Sequence, residues 1–458
     1  MNFISINFIS FFTIMLFILF TLKKKEHQHI FLLLSSYVFY IFCDYRFLLI
    51  LLFISISMYI LGFLIERTHQ KIYLIIGIIL NLVILGIFKY LNFMVESFSI
   101  ALHLSLNVSK IMLPVGISFY IFQSLSYIID IYHHKITSQS LINTLLYIGF
   151  FPQILSGPIV KAHDFIPQLD KNLIYNTENL SYGIQRFLLG IFKKTVIADR
   201  LSICVNAVYN SPSAYNSLSI WIAVISYSLE LYYDFSGYSD MAIGIAKMIG
   251  FEYKENFNIP YLAQNPSDFW ARWHISLSSW FKEYVYIPLG GNRKGNLRTY
   301  INLFITMLLS GLWHGAGWNF IVWGILHSIY SITHKFLLSK FKVKHTPITT
   351  IFFIIFNFII ISLFWVPFKV TKYSACKEII TRLFVPHSGI NYIYIYSLIF
   401  MIITIIIIIY SSIFNNKQNI WKPLNLKIFS SKIIFVCLIL MIFALGYFSD
   451  TAFIYSSF

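Results

Sequence analysis

The stretch Ser310-Gly311-Leu312-Trp313-His314-Gly315-Ala316-Gly317-Trp318-Asn319 decides how this chain is read. It lies in an apolar segment from about Leu303 to Leu326, within a candidate span over residues 297–326. An ionisable imidazole at membrane depth is costly to keep and is by default a functional hypothesis. Gly311 and Gly315 are four apart, so on a helix they share a face with His314 close beside it. Small residues let a second helix or a substrate approach the backbone. They also permit a broken helix, which lipid tolerates only where the backbone is buried in protein or lines a cavity. Two readings stand: a histidine that does chemistry, or a packing motif whose histidine hydrogen-bonds a neighbouring helix.

The rest of the composition says what surrounds that stretch. Of 458 residues, 58% are hydrophobic and only 11% charged, and the mean hydropathy is +0.73. So few charges could not cover that apolar surface in water. The class is therefore an all-α polytopic membrane protein. Apolar runs recur at residues 3–22, 30–43, 47–65, 72–88, 113–132, 218–233, 297–326, 348–366, 392–413 and 432–448. Residues 141–160 and 182–201 are less apolar and read as spans, re-entrant segments or interfacial helices. The expectation is roughly 10–12 membrane helices, counting about 20 apolar residues per span, some of them broken. Residues 3–22 read as an uncleaved first span, because Lys23-Lys24-Lys25 follow the apolar run instead of preceding it.

The formal charge of +16 comes from 34 Lys and Arg against 18 Asp and Glu. In a membrane protein that excess marks basic loops at the cytoplasmic face, not nucleic-acid binding. Lys23 to Lys25 and the loop from Arg67 to Lys71 both fall inside if the first spans alternate, which puts the N-terminus outside. The four cysteines, Cys43, Cys204, Cys376 and Cys437, show no CxxC or Cys/His spacing. They read as small hydrophobes, and no metal site is expected.

Polar chemistry concentrates between Pro152 and Trp323. Residues 151–161 carry two prolines and a glycine in an apolar run, which reads as a re-entrant segment or a Pro-kinked span. Glu230 and Asp234 are four apart on one helix face, and Asp240 follows. Those carboxylates suit a polar network paired with basic residues, or a substrate or cation site. Trp270, His274 and Ser278 fall at i, i+4 and i+8, one face if the segment is helical. His274 is then either at the edge of an aqueous site or an interfacial residue satisfied by a carbonyl. The basic turn from Ile287 to Gly295 lacks the spacing of a phosphate-binding P-loop. Gly237-Tyr238-Ser239-Asp240-Met241 is not a nucleophile elbow.

Several strings recur in one order: Leu113-Pro114-Val115-Gly116-Ile117-Ser118-Phe119, Pro152 to Val160, Tyr233 to Asp240, Phe269 to Trp280, Tyr286 to Lys294, and Leu309 to Asn319. Together they resemble the membrane-bound O-acyltransferase family, and most of all its bacterial alginate and peptidoglycan O-acetyltransferase branch. The resemblance covers Leu113 to about His327. It divides the chain into N-terminal transmembrane helices at 1–112, a catalytic core at 113–327 and C-terminal transmembrane helices at 328–458. It implies a shield of tilted helices around a thin centre, where a cytoplasmic cavity and an outer funnel meet near the histidine. By this match His314 holds the family's catalytic histidine position and His274 the branch's second polar position. Trp313, Ser310, Asp234, Trp270 and Trp273 become candidate substrate contacts.

The chemistry implied is acyl transfer. His314 would serve as general base. Backbone N–H groups freed by the glycine break, or His274, would stabilise the oxyanion. No bound cofactor is expected. The acyl donor is a cytoplasmic thioester, acetyl-CoA, and the end acceptor is a cell-envelope polysaccharide, reached through a separate extracytoplasmic acyltransferase partner. The location implied is the bacterial inner membrane. D-alanyl transfer to teichoic acid by the same family is one alternative. A secondary transporter, which shares intramembrane carboxylates and broken helices, is another.

Overall fold

A run of apolar residues in lipid has one way to satisfy its backbone without partners, the α-helix. The computed structural model describes residues 1–103, 110–340, 346–413, 423–448 and 453–454. Among them the regular structure is helical, apart from an isolated bridge between Tyr215 and Ile390. By length and composition, the helical stretches 25–68, 71–102 and 347–369 are long and apolar enough to cross a membrane. Ile6–Thr21, 395–406 and Phe429–Leu445 are shorter apolar helices. Large apolar side chains such as Phe17, Leu49, Ile79 and Phe443 are more than half exposed, as on a lipid-facing surface.

The chain packs as two units. One comprises Met1–Phe187 with Ser239–Lys254, the other Leu188–Tyr238 with Glu255–Phe458. These boundaries follow packing, whereas the three sequence segments follow motif density. The helices Thr177–Ile191 and Ser217–Ile249 each contribute to both units.

In the first unit, Lys25–Asp44, Leu48–Thr68, Lys71–Leu85 and Ile117–Tyr132 carry the core. Phe8, Phe39 and Phe151 interlock there, with ring centroids 5.4 to 6.3 Å apart. The run expected to span 113–132 becomes helical only at Ile117. Leu113-Pro114-Val115-Gly116 turns instead, and Gly116 has φ 76°. A Cβ at Gly116 would run into the Ile154 carbonyl oxygen, so both the conformation and the space require glycine. Residues 141–160 form a broken segment: a helix at Leu141–Gly149, one turn at Phe151–Ile154, then buried non-helical chain. A helix of nine residues is only about 13 Å long and cannot cross the hydrocarbon. Asp130 is fully buried and holds His163 Nδ1 at 2.7 Å and Lys135 at 3.3 Å.

In the second unit, residues 192–210 continue a helical path through a π turn at Phe192–Ala198. The single span expected over 297–326 is corrected. Gly295–His314 and Trp318–Lys340 are two helices that double back on each other. The reason is the Gly315-Ala316-Gly317 tripeptide, whose glycines are poor helix formers. Gly315 is fully extended at φ −169°, and Phe320 N–H caps back onto Gly317 O. Gly311 and Gly324 then let the two backbones touch. A Cβ at Gly324 would stand 2.8 Å from the Met307 carbonyl oxygen. The shared helix face expected for Gly311 and Gly315 is therefore replaced: Gly311 faces the partner helix, while Gly315 lies beyond the helix end.

Candidate active site

His314 is the last residue of its helix and is 1% exposed. Its ring meets Trp313, Trp323 and Phe368 edge-on, with centroids at 5.0, 5.0 and 5.2 Å. The next three N–H groups, of Gly315, Ala316 and Gly317, donate to no acceptor among the described residues. A buried imidazole beside unused backbone donors has the components of an acyl-transfer site: a base and an anion-stabilising edge.

His274 is held differently from the expectation. Trp270, His274 and Ser278 do not share one helix, because the helix Pro266–Trp270 ends and a new one starts at Ile275. His274 sits between them at φ 43°, ψ 55°. A non-glycine residue there carries about 1–3 kcal/mol of strain, which must be held by its surroundings. Asn256 supplies the hold. Its backbone oxygen accepts from Ile275 N–H at 2.9 Å, and its Oδ1 accepts from Ser276 N–H at 3.1 Å. Its Oδ1 also lies 3.2 Å from His274 Nδ1. An amide oxygen only accepts, so Nδ1 carries the proton of that bond and Nε2 of a neutral ring is an acceptor.

The two histidines are linked by rings. His274 and Trp313 lie 5.8 Å apart, and Trp313 packs on His314. The chain of rings continues through Trp323 to His327, at 4.5 Å. His327 is fully buried, and neither ring nitrogen has a hydrogen-bond partner among the described residues. A buried polar group left so costs about 1–3 kcal/mol and calls for an explanation. His327 meets the same sequence criterion as His314, an ionisable residue in an apolar run.

A cavity of about 480 Å³ opens beside this cluster. Three helix stripes line it: Ile275, Ser278, Ser279 and Lys282; Thr306, Met307 and Ser310; Ser331 and Lys335. Each stripe, extended inward by a helical turn or less, meets a histidine: His274, His314 and His327 respectively. Trp270 also lines the cavity and packs on His327 at 5.0 Å.

The other candidates are distributed as follows. Trp313, Ser310 and Trp270 belong to the cluster or its cavity. Trp273 is fully buried behind it, stacked among Phe269 at 5.6 Å and Trp365 at 5.0 Å. Asp234 is engaged elsewhere: Oδ1 takes Lys194 Nζ at 2.7 Å, and Oδ2 takes Ile454 N–H at 2.9 Å. Lys194 also reaches Asp199 at 2.9 Å, and Asp240 pairs with Arg186 at 2.6 Å. Asp234 and Asp240 thus stand in buried ion pairs. The neighbour of Asp234, Phe235, nonetheless packs its ring on His274 at 4.6 Å.

Comparison with known proteins gives the family. The profile described as MBOAT, the membrane-bound O-acyltransferase family, matches residues 6–370. A Pseudomonas putida protein named "Probable alginate O-acetylase" is 36% identical over 365 residues, 77% of this chain and 73% of its own length. The peptidoglycan O-acetyltransferase of Helicobacter pylori is 36% identical over 333 residues, 67% of this chain and 63% of its own. The teichoic acid D-alanyltransferase of Bacillus subtilis is 30% identical over 236 residues, 48% and 59%. The chain therefore spans less than two thirds of the latter two relatives. The profile covers most of the chain and all of the histidine cluster. The chain belongs to the membrane-bound O-acyltransferase family and is a multi-pass membrane acyltransferase.

Proposed function

We propose that the protein is an O-acetyltransferase of the bacterial inner membrane that moves acetyl groups from acetyl-CoA in the cytoplasm toward a cell-envelope polysaccharide. The observation that carries the reading is the buried His314 at the turn of a helix hairpin, one helical turn beyond the cavity residue Ser310. In the reaction, the acceptor hydroxyl gives its proton to His314 as its oxygen bonds to the thioester carbonyl carbon. The negative charge collects on the carbonyl oxygen, near the unused N–H groups of residues 315–317. The C–S bond then breaks, and the imidazolium returns the proton to the departing thiolate. No enzyme-bound acyl group is needed for this balance.

The direction of supply follows from charge. Lys282 and Lys335 line the cavity, and Arg293, Lys294 and Arg298 cluster at the start of the Gly295–His314 helix, opposite the His314 end. By the positive-inside rule that end faces the cytoplasm. The same rule, applied to Lys23 to Lys25 and Arg67 to Lys71, puts the N-terminus outside. The acceptor is either the polysaccharide or a separate extracytoplasmic acyltransferase that relays to it. Alginate and peptidoglycan are the polysaccharides named for relatives of higher identity, and D-alanyl transfer is named for one of lower identity. Purified protein in liposomes tests the reading. Acetyl-CoA should be cleaved, and acetyl should reach a hydroxyl acceptor. Uptake of a solute with no thioester consumption would overturn it and restore the transporter reading.

A further inference from the structure

Three carboxylates lie along the helix Ser217–Ile249, and two of them are matched: Asp234 by Lys194 and Asp240 by Arg186. Glu230 is not. It is 5% exposed, forms no hydrogen bond or ion pair among the described residues, and its Oε2 is fully buried. A carboxylate held this way inside a membrane protein is costly and by default marks a site.

The surroundings do not cancel its charge. Its electrostatic neighbours, strongest first, are Lys369, Asp234, Lys194 and Asp199. Two cations stand there against two anions, so the charge of Glu230 itself is left over. Lys194 is committed to both aspartates, at 2.7 and 2.9 Å. Lys369 is partly exposed at the end of its helix and is turned to other groups. Its Nζ donates to Asn206 Oδ1 at 3.2 Å and stands over the Tyr227 and Tyr209 rings at 4.9 and 5.8 Å.

Unused oxygens surround the carboxylate. Ser226 is one helical turn before Glu230 on the same face, is fully buried, and its Oγ has no partner among the described residues. Tyr209 comes from the helix Asp199–Asn210 and Ser397 from Ile395–Ile413. Both are buried, and the hydroxyl of each likewise lacks a partner among the described residues. Cys204, also fully buried, relates the members of the set: it lies beside Ser226 and Ser397 and within electrostatic reach of Glu230. Tyr209 is within the same reach of Glu230. Three helices thus bring one carboxylate and three hydroxyls together. Buried polar atoms normally have partners, and four orphans in one place call for a shared one.

The chemistry of the set names the partner. All four groups offer oxygen, the ligand of hard cations, and none offers the nitrogen or thiolate that softer metals select. Among the described residues no three His, Cys, Asp and Glu side chains gather at any point. A hydroxyl can turn its lone pairs toward a cation. One leftover negative charge is matched by one positive charge.

We propose that Glu230, Ser226, Tyr209 and Ser397 bind a monovalent alkali cation, sodium or potassium. The inference goes beyond the acetyl-transfer reading and does not rest on it. The ion would tie three helices together, one of which carries Phe235, packed on His274 at 4.6 Å. Transfer activity should therefore follow its occupancy.

Purified protein in detergent tests this by thermal unfolding in choline chloride, with NaCl or KCl substituted at constant ionic strength and pH. The midpoint should rise with the bound cation, by about 1–2 °C per tenfold concentration above the Kd for a chain of this size, and stay flat in choline. A response to sodium alone, to potassium alone or to both identifies the ion. Glu230→Gln keeps the shape and removes the charge. It should lose the response, and its midpoint in choline should equal or exceed that of wild type, because an unmatched buried charge is gone. Ser397→Ala, on another helix, should move the response to about tenfold higher concentration, the size of one lost ligand contact. Acetyl transfer by the wild type should rise over the same concentration range as its midpoint. Equal wild-type midpoints in all three salts would overturn the proposal. So would a midpoint that moves with pH but with neither sodium nor potassium, the mark of a protonated Glu230. A response unchanged in both Glu230→Gln and Ser397→Ala puts the ion elsewhere and also sinks it. Absence of acetyl transfer in every salt would count against the enzyme reading and leave the cation result standing.

Discussion

Gly324→Ala tests whether the contact between the two hairpin helices sets the position of His314. The added methyl would stand 2.8 Å from the Met307 carbonyl oxygen and 3.2 Å from the Leu308 Cα. Both belong to the facing backbone, so neither can rotate away as a side chain would. Overpacking of this kind costs about 1–3 kcal/mol. Alanine in a helix returns about 1 kcal/mol relative to glycine. The net loss of stability is then about 0–2 kcal/mol, small enough for the protein to accumulate. Activity should suffer more. The methyl fits only if the hairpin opens, and His314 and its neighbour Trp323 lie on opposite arms of it. A displacement near 1 Å costs about a hundredfold in rate. The assay is acetyl transfer per mole of folded protein, with the thermal midpoint measured in the same detergent. Gly86→Ala is the control, since no heavy atom lies within 4 Å of its Cβ position. Full activity in Gly324→Ala would refute the claim that the close helix contact positions the base.

Further changes separate chemistry from support. His274→Asn should fold, because asparagine tolerates the left-handed backbone at this position, but if the Nε2 acceptor of His274 orients a substrate donor its turnover should fall about a hundredfold. Wild-type turnover in that variant, by the same transfer assay, would reduce His274 to a structural turn. Asp234→Asn removes the charge that Lys194 meets at 2.7 Å. A broken buried pair costs about 3–5 kcal/mol, so the expected result is poor accumulation, not a raised KM. A well-folded Asp234→Asn with weakened donor or acceptor binding would restore its place among the substrate contacts. Ser310→Ala should keep its activity within about tenfold, since direct transfer with a base needs no nucleophile. An acetylated Ser310 seen by mass spectrometry, with an inactive alanine variant, would establish an acyl-enzyme instead.

Much of the architecture was legible because lipid enforces it. Apolar runs such as 30–43 and 47–65 fall on Lys25–Asp44 and Leu48–Thr68 to within a few residues, and the helices extend into polar ends at residues 25–29 and 66–68. The helical i, i+4 relation of Glu230 and Asp234 also holds, inside one helix of 33 residues. What was not legible depends on partners distant in sequence. The hairpin at residues 315–317 is hidden because apolar residues continue on both sides of it. The turn at His274 is hidden because Trp270, His274 and Ser278 fit a helix perfectly well by spacing. It is Asn256, eighteen residues earlier, that holds the chain out of that helix. Lys194 lies forty residues from Asp234, so their pairing left no local signal. Lys282 and Lys335 are ordinary surface lysines in the sequence and become a pair only when three helices enclose a cavity. His274, His314 and Trp313 stand out in the sequence, and His327 meets the same rule as an ionisable residue in an apolar run.

The central claim is that His314 takes the acceptor's proton. His314→Gln tests it most directly, because glutamine is also polar and hydrogen-bonding but is not a base at neutral pH. Wild type and variant should be compared as purified, folded protein, with acetyl transfer measured against pH. The account predicts a fall of about 10²–10⁴-fold in the variant, the contribution of a positioned general base. It also predicts that the acid limb of the wild-type profile, where the imidazole takes up a proton, disappears from any residual activity. A His314→Gln protein that keeps most of its transfer rate and the same acid limb would contradict the claim and make His314 a hydrogen-bonding residue.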